Sequence, residues 1–420
     1  MFKTLRDAFK VEDLRKRILF TFFMLFAIRS GAAIPIPGID SRGILEYFNN
    51  NSEGLLGMFD AFSGGAFKNM TIFALGIIPY INSSIIMNLL TIAIPALEEM
   101  QKDGEDGRKK IAKITRYATI VFAVIQATAI SIGFRSYFVD YSFWSVIAAI
   151  VTMTAGTAFL MWCGEKITEN GVGNGISLII TVNILSGLGS GALTLYELFM
   201  SSEVVKAIIL LVVFFLMIVF VVLIQLGERR VPVQYAKRVQ GRKVYGGQST
   251  HIPMKVNMAG VIPVIFASSL LQFPATITSF ITASPTGWWG KTLEVISISN
   301  PYGAAIYFVL IIAFAYFYTA ITFNPYDVAN NMKKNGGFIP GIRPGKPTVE
   351  YLSKVLSRLV LIGAVMLGII ALAPVGLTAV TKIQLNFGGT SLIIVAGVAL
   401  ETVKQVQSQL VMRHYKGFLG

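Results

Sequence analysis

The stretch from Val205 to Gly227, VKAIILLVVFFLMIVFVVLIQLG, has no charged residue after Lys206 and no turn-forming residue before its last glycine. About 20 such residues wound as a helix cross roughly 30 Å of hydrocarbon, so this segment reads as a membrane span. Nine further apolar segments lie near residues 18–36, 72–97, 117–134, 143–163, 176–196, 257–282, 303–324, 359–380 and 389–404. The expectation is an all-α integral membrane protein of about ten transmembrane helices. A chain of 420 residues with 54% hydrophobic residues and a mean hydropathy of +0.66 is too apolar for a soluble domain.

The connections set the expected orientation. Placing residues 1–17, the even-to-odd loops and the tail 405–420 on one side puts 29 of the 36 Lys and Arg there. That side is expected to be the cytoplasm, with both termini in it. Anionic lipid at that face accounts for much of the excess charge. The basic residues ahead of Ile18 mimic a signal peptide, but the apolar run is long and nine more follow, so it reads as a retained first helix. One cysteine, Cys163, excludes an internal disulfide. Three loops exceed ordinary connection length: the outer loop after the first span, and the cytoplasmic loops 228–256 and 325–358.

Chemistry of an enzymatic kind is hard to place. His251 and His414 have no second ligand at zinc-site spacing. The run Gly341 to Thr348 resembles a phosphate loop, but its glycine spacing is one residue short and Pro347 stands where Ser or Thr is needed. Gly171-Val-Gly-Asn-Gly175 reads as a loop-to-helix turn. No Asp, Glu, Lys, Arg or His lies in the middle of any span, which disfavours an ion-coupled transporter. The spans hold neutral polar and helix-breaking residues instead: Gly76, Pro79, Asn82, Asn88, Gln126, Asn183, Asn257, Pro263 and Gln272. Each amide has two readings, a hydrogen bond between packed helices or a role in a gate.

These residues carry a resemblance. Phe73-Ala-Leu-Gly-Ile-Ile-Pro-Tyr-Ile81, Gly171 to Ser177, Tyr235-Ala-Lys-Arg238, Gly247 to Pro253, Lys255 to Pro263, Pro340 to Gly345 and Phe387-Gly-Gly-Thr-Ser391 are similar to the motifs of the bacterial SecY family. The match runs in order from the basic N-terminal segment to Arg413-His-Tyr-Lys-Gly417. The resemblance implies a protein-conducting channel in the bacterial plasma membrane, moving unfolded secretory polypeptides across and releasing hydrophobic segments sideways into lipid. It implies partners: the small membrane subunits SecE and SecG, the ATPase SecA, the ribosome, signal peptides, unfolded preproteins and membrane lipids. It implies no cofactor and no activity as an enzyme. Its fold would be two pseudo-symmetric five-helix halves, 18–200 and 201–404, around an hourglass pore. A solute transporter is the alternative from another class, and a membrane-embedded enzyme a more distant one.

Carried over residue by residue, the pore ring falls on Ile77, Ile81, Ile176, Ile180, Ile265 and Ile394. The paired positions are four apart, so both side chains project from one helix face. An aliphatic gasket offers no hydrogen bond to hold a passing chain, and a narrow apolar waist can dewet and so exclude ions. The plug would be about residues 54–67, with Leu55, Leu56, Met58, Phe59, Phe62, Gly64 and Gly65 as its apolar and hinge residues. Sideways release requires a seam between spans two and three on one flank and seven and eight on the other. Asn88, Gln126 and Gln272 would hold that lateral gate, with Phe273 as an apolar contact. Docking of SecA and the ribosome is expected at Lys237, Arg238, Arg242, Lys243 and Arg343. Arg343 stands out because Pro340, Gly341, Pro344 and Gly345 surround it, a turn that would present one fixed guanidinium.

Overall fold

In hydrocarbon every backbone N–H and C=O must find a partner within the protein, and nine of the ten apolar segments accordingly fall mainly on a single helix. The computed structural model describes residues 2–50, 60, 62–200, 204–235, 238–240, 243–245, 249–281, 287–298, 300–381 and 389–416. In chain order the helices are α1 Phe2–Lys10, α2 Glu12–Gly31, α3 Ser41–Asn50, α4 Ile78–Ala93, α5 Pro95–Lys102, α6 Glu105–Gly133, α7 Phe143–Asn170, α8 Gly175–Met200 and α9 Val204–Leu226. There follow α10 Ile262–Ile281, α11 Trp288–Ile296, α12 Pro301–Thr322, α13 Pro325–Lys334, α14 Lys346–Thr381 and α15 Gly389–Lys416. By length and composition five of them can cross a membrane: α6, α7, α9, α12 continuing into α13, and α14. The remaining expected spans fall on α2, α4, α8, α10 and α15.

The second expected span, 72–97, is not one helix. Residues 72–77 form turns, α4 is 16 residues long, and the chain bends by 100° between α4 and α5. At 1.5 Å per residue α4 covers only about 24 Å. The causes are local. Gly76 takes a left-handed φ of +57°, Pro79 sits in the first turn of α4, and Pro95 drives Ile94 into extended backbone, φ −112° and ψ 111°. Irregular backbone is tolerated here because Phe73, Ala74, Leu75 and Ile77 are buried in protein.

The two long loops add a small sheet to the otherwise helical fold. Loop 228–256 folds into β1 Glu228–Tyr235 and β4 Ser249–Lys255, paired antiparallel with Val231 opposite Ile252. The short strands β2 Arg238–Gln240 and β3 Lys243–Tyr245 pair between them. β5, Gly337–Phe338, adds to the other edge of β1, so the two long loops share one sheet in the order β4-β1-β5. Alternation drives it. Val231 and Val233 are buried between exposed neighbours and pack with Met254, Met332, Leu352 and Leu356. That period of two was legible in Arg230-Val-Pro-Val-Gln234.

Helices α4, α6, α7 and α8 pack in sequence, as do α10, α12 and α14, with α9 and α15 against α14. Within the first group the Ser83 hydroxyl donates to the Thr115 carbonyl at 2.9 Å, and Arg116 pairs with Glu165 at 2.7 Å. In the second, the Tyr307 hydroxyl reaches the Val264 carbonyl at 3.4 Å. The two groups meet on two sides: α8 against α15, and α10 against α4 and α6.

Candidate functional site

Where the two groups meet, one buried hydrophobic cluster draws on both. Ile77, Ile81, Ile180, Ile265 and Ile394 all belong to it, each at most 7% exposed, and the half-buried Ile176 packs against it. Local structure aims them. The Ile81 N–H donates to the Ile77 carbonyl at 3.1 Å, so the first hydrogen bond of α4 joins two of the six residues. Asn174 caps the start of α8, its side-chain oxygen accepting from the Ser177 N–H at 3.2 Å, and a side chain at Gly164 would collide with Ile176. The result is one buried apolar cluster to which the six contribute no polar side-chain atom. Burying each isoleucine contributes about 1.5–3 kcal/mol to this packed arrangement.

The loop between α2 and α4 reaches this cluster. Its two ends are stapled: Pro35 bridges Thr71, the Ile36 N–H donates to the Met70 carbonyl at 2.9 Å, and the Ile72 N–H to Ile34 at 3.0 Å. Leu55, Leu56, Met58 and Phe59 lie outside the described residues. Phe62 is buried in the same cluster as the isoleucines. Gly64 and Gly65 hold left-handed φ values of +68° and +85°, and Gly64 lies too close to the Asn183 backbone and the Arg29 side chain for any Cβ.

Polar side chains not expected for the plug meet this loop. The Asn183 amide donates to the Phe62 carbonyl at 3.0 Å, and the Ser186 hydroxyl to the Gly64 carbonyl at 3.0 Å. Arg29, at the end of α2, donates to the Gly64 carbonyl at 3.3 Å and to the Asn183 side-chain oxygen at 3.5 Å. Asp60 accepts from the Lys68 N–H at 3.0 Å, and burial raises its carboxyl above the ordinary range, opposed by that bond and by the Lys68 charge. The sequence signals were present, an amide and an arginine within apolar runs, but nothing in them named the partners.

Of the residues expected at a lateral gate, Asn88 is half-buried on α4 and Gln126 is 4% exposed on α6. The side-chain oxygen of Gln126 has no hydrogen-bond partner among the described residues. Gln272 and Phe273 lie on α10, which packs against both helices; their side chains lie outside the described residues.

Of the residues expected to dock partners, Lys237 and Arg242 fall outside the described residues, while Arg238 and Lys243 sit on β2 and β3, their side chains undescribed. Arg343 is exposed on a turn flanked by Gly341 and Gly345, at φ +80° and +108°. The fully buried Thr348 donates its hydroxyl to the Arg343 carbonyl at 2.9 Å, which anchors that turn. No group of three His, Cys, Asp or Glu able to hold a metal occurs among the described residues.

Comparison with known proteins agrees in kind. A family model described as SecY matches residues 71–403. The protein translocase subunit SecY of Streptomyces scabiei is 47% identical over 432 aligned residues, 98% of each chain. A solved SecY, whose plug domain is described as stabilising the closed state of the translocation channel and maintaining a membrane seal, superposes with a TM-score of 0.68 at 18% identity, covering 94% of this chain and 92% of that one. Canine Sec61 in a ribosome–channel complex from the endoplasmic reticulum gives 0.65 at 17% identity, covering 94% and 93%.

Proposed function

The chain belongs to the SecY family, and from that premise we propose how its own residues make a protein-conducting channel work. It is a multi-pass membrane protein whose task is to pass unfolded polypeptides across the bilayer. The isoleucines Ile77, Ile81, Ile176, Ile180, Ile265 and Ile394 act as the gasket at the waist. The observation carrying this reading is their gathering, from helices of both packed groups, into one buried cluster. Aliphatic groups seal the shut channel by excluding water, and when the groups part they close around a passing chain without hydrogen-bonding to it.

The segment from about residue 54 to 67 acts as the plug, seated through Phe62 on the gasket. The seam of α10 against α4 and α6 acts as the lateral gate, supported by the packing of α10 on both helices and by Gln126 of α6, whose buried oxygen has no partner among the described residues. An unmet acceptor costs about 1–3 kcal/mol, which favours a seam able to rearrange. The membrane is the bacterial plasma membrane with both termini in the cytoplasm, and SecE and SecG accompany the chain. SecA and the ribosome dock on the sheet that joins the two basic loops, supported by the exposure of Arg343 on its anchored turn. Vesicles holding this chain with SecE and SecG test the whole. SecA-dependent uptake of a signal-bearing unfolded protein is expected. Uptake of a small solute without SecA, and none of the protein, overturns the reading.

A further inference from the structure

The polar contacts between the outer loop and the helix bundle are directed at main chain. Asn183 and Ser186 lie one turn apart on α8 and reach the carbonyls of Phe62 and Gly64, while Arg29 from α2 reaches the Gly64 carbonyl and the Asn183 oxygen. Asn183 is 3% exposed and uses both ends of its amide, giving a hydrogen bond to the loop and taking one from Arg29. Arg29 therefore fixes which way that amide faces. Ile180 precedes Asn183 by one turn on the same helix and belongs to the same buried cluster as Phe62. Phe62 is thus held twice from α8, by its ring through the apolar cluster and by its carbonyl through Asn183.

We propose that Arg29, Asn183 and Ser186 form a latch that keeps the Phe62–Gly65 segment seated and ties its release to outward movement of Ile180. This inference rests on the reading of that segment as part of a plug. The coupling is mechanical. A helix moves as a rod, so displacing Ile180 far enough to widen the waist carries Asn183 away from the Phe62 carbonyl, and the bond is lost when the gasket opens. Because the donors recognise carbonyls, the latch places no demand on the side chains of the plug beyond glycine at position 64, where a Cβ would strike Asn183 and Arg29.

Ion conductance of the reconstituted chain with SecE and SecG, in planar bilayers without translocation substrate, tests this. Asn183→Leu is expected to raise the resting conductance about tenfold, the range for losing a hydrogen bond to a buried group, and Ser186→Ala a few-fold, because its exposed hydroxyl is shared with the Asn183 carbonyl at 2.7 Å. Arg29→Gln combined with Asn183→Leu is expected to raise it by less than the product of the two single effects, because both act on one assembly. A variant that misfolds lowers the number of channels and cannot raise conductance, so Ser186→Ala and Arg29→Gln decide the matter if Asn183→Leu fails to insert. Ile81→Asn is the control. If Ile81→Asn leaks while the three latch variants conduct like the parent, the latch is refuted and the gasket stands. If none of them leaks, the gasket and plug reading fails with it.

Discussion

Replacing Ile265 by Asn perturbs the waist at one defined point. Ile265 is 7% exposed, on α10, in the cluster that also holds Ile77, Ile81 and Ile394. In the shut state the substitution removes about 1.5–3 kcal/mol of apolar burial and leaves an amide among hydrocarbon. In the open, hydrated state the same amide is solvated at no such cost. A net shift of about 2 kcal/mol toward opening corresponds to roughly a 30-fold rise in the open population. Ile265→Val removes one methylene, about 0.8 kcal/mol, and should raise it by no more than about fourfold. Ile208, half-exposed on α9, provides the contrast: Asn there meets lipid, lowers the amount of inserted channel and leaves the conductance per channel unchanged. Resting conductance per channel and export of a reporter with a defective signal sequence are the two readouts. Parent-like values of both for Ile265→Asn would refute the argument that these side chains seal the waist.

Three further outcomes are expected. Burial raises the Asp60 carboxyl, so its contribution to the seated loop is fully present below the ordinary carboxylate pKa and is lost as pH rises through the raised value. Resting conductance should therefore increase as the outer pH rises through that window, and Asp60→Asn, which keeps an acceptor for the Lys68 N–H, should flatten the profile; an unchanged pH profile in the variant counts against this role. Arg343→Glu should depress SecA-driven translocation with normal insertion, and Arg242→Glu with Lys243→Glu should weaken ribosome binding more visibly as salt rises; parent-like behaviour of both across a salt series returns those charges to a topological role. In a double-mutant cycle on Asn88 and Gln272, substitution to Ala should give non-additive changes in export of about 0.5 kcal/mol or more, and strict additivity would exclude contact across the seam.

The apolar lengths, the charge asymmetry of the loops and the motif strings are properties of chain order, and the sequence alone sufficed to place ten helical segments and the family. Hydropathy sums over a window, so it joined 72–97 into one span although Gly76, Pro79 and Pro95 divide it. It also passed over the period of two in Arg230 to Gln234, because a loop bounded by long apolar runs is judged by its ends. Which isoleucines share a face is written in a spacing of four. That five of them, from segments up to 317 residues apart, fall in one buried cluster is decided by helix packing. The same holds for Arg29, Asn183 and Ser186. Each is an ordinary polar residue near an apolar run, and only the approach of α2 and α8 to the loop between α2 and α4 brings their donors to the carbonyls of Phe62 and Gly64.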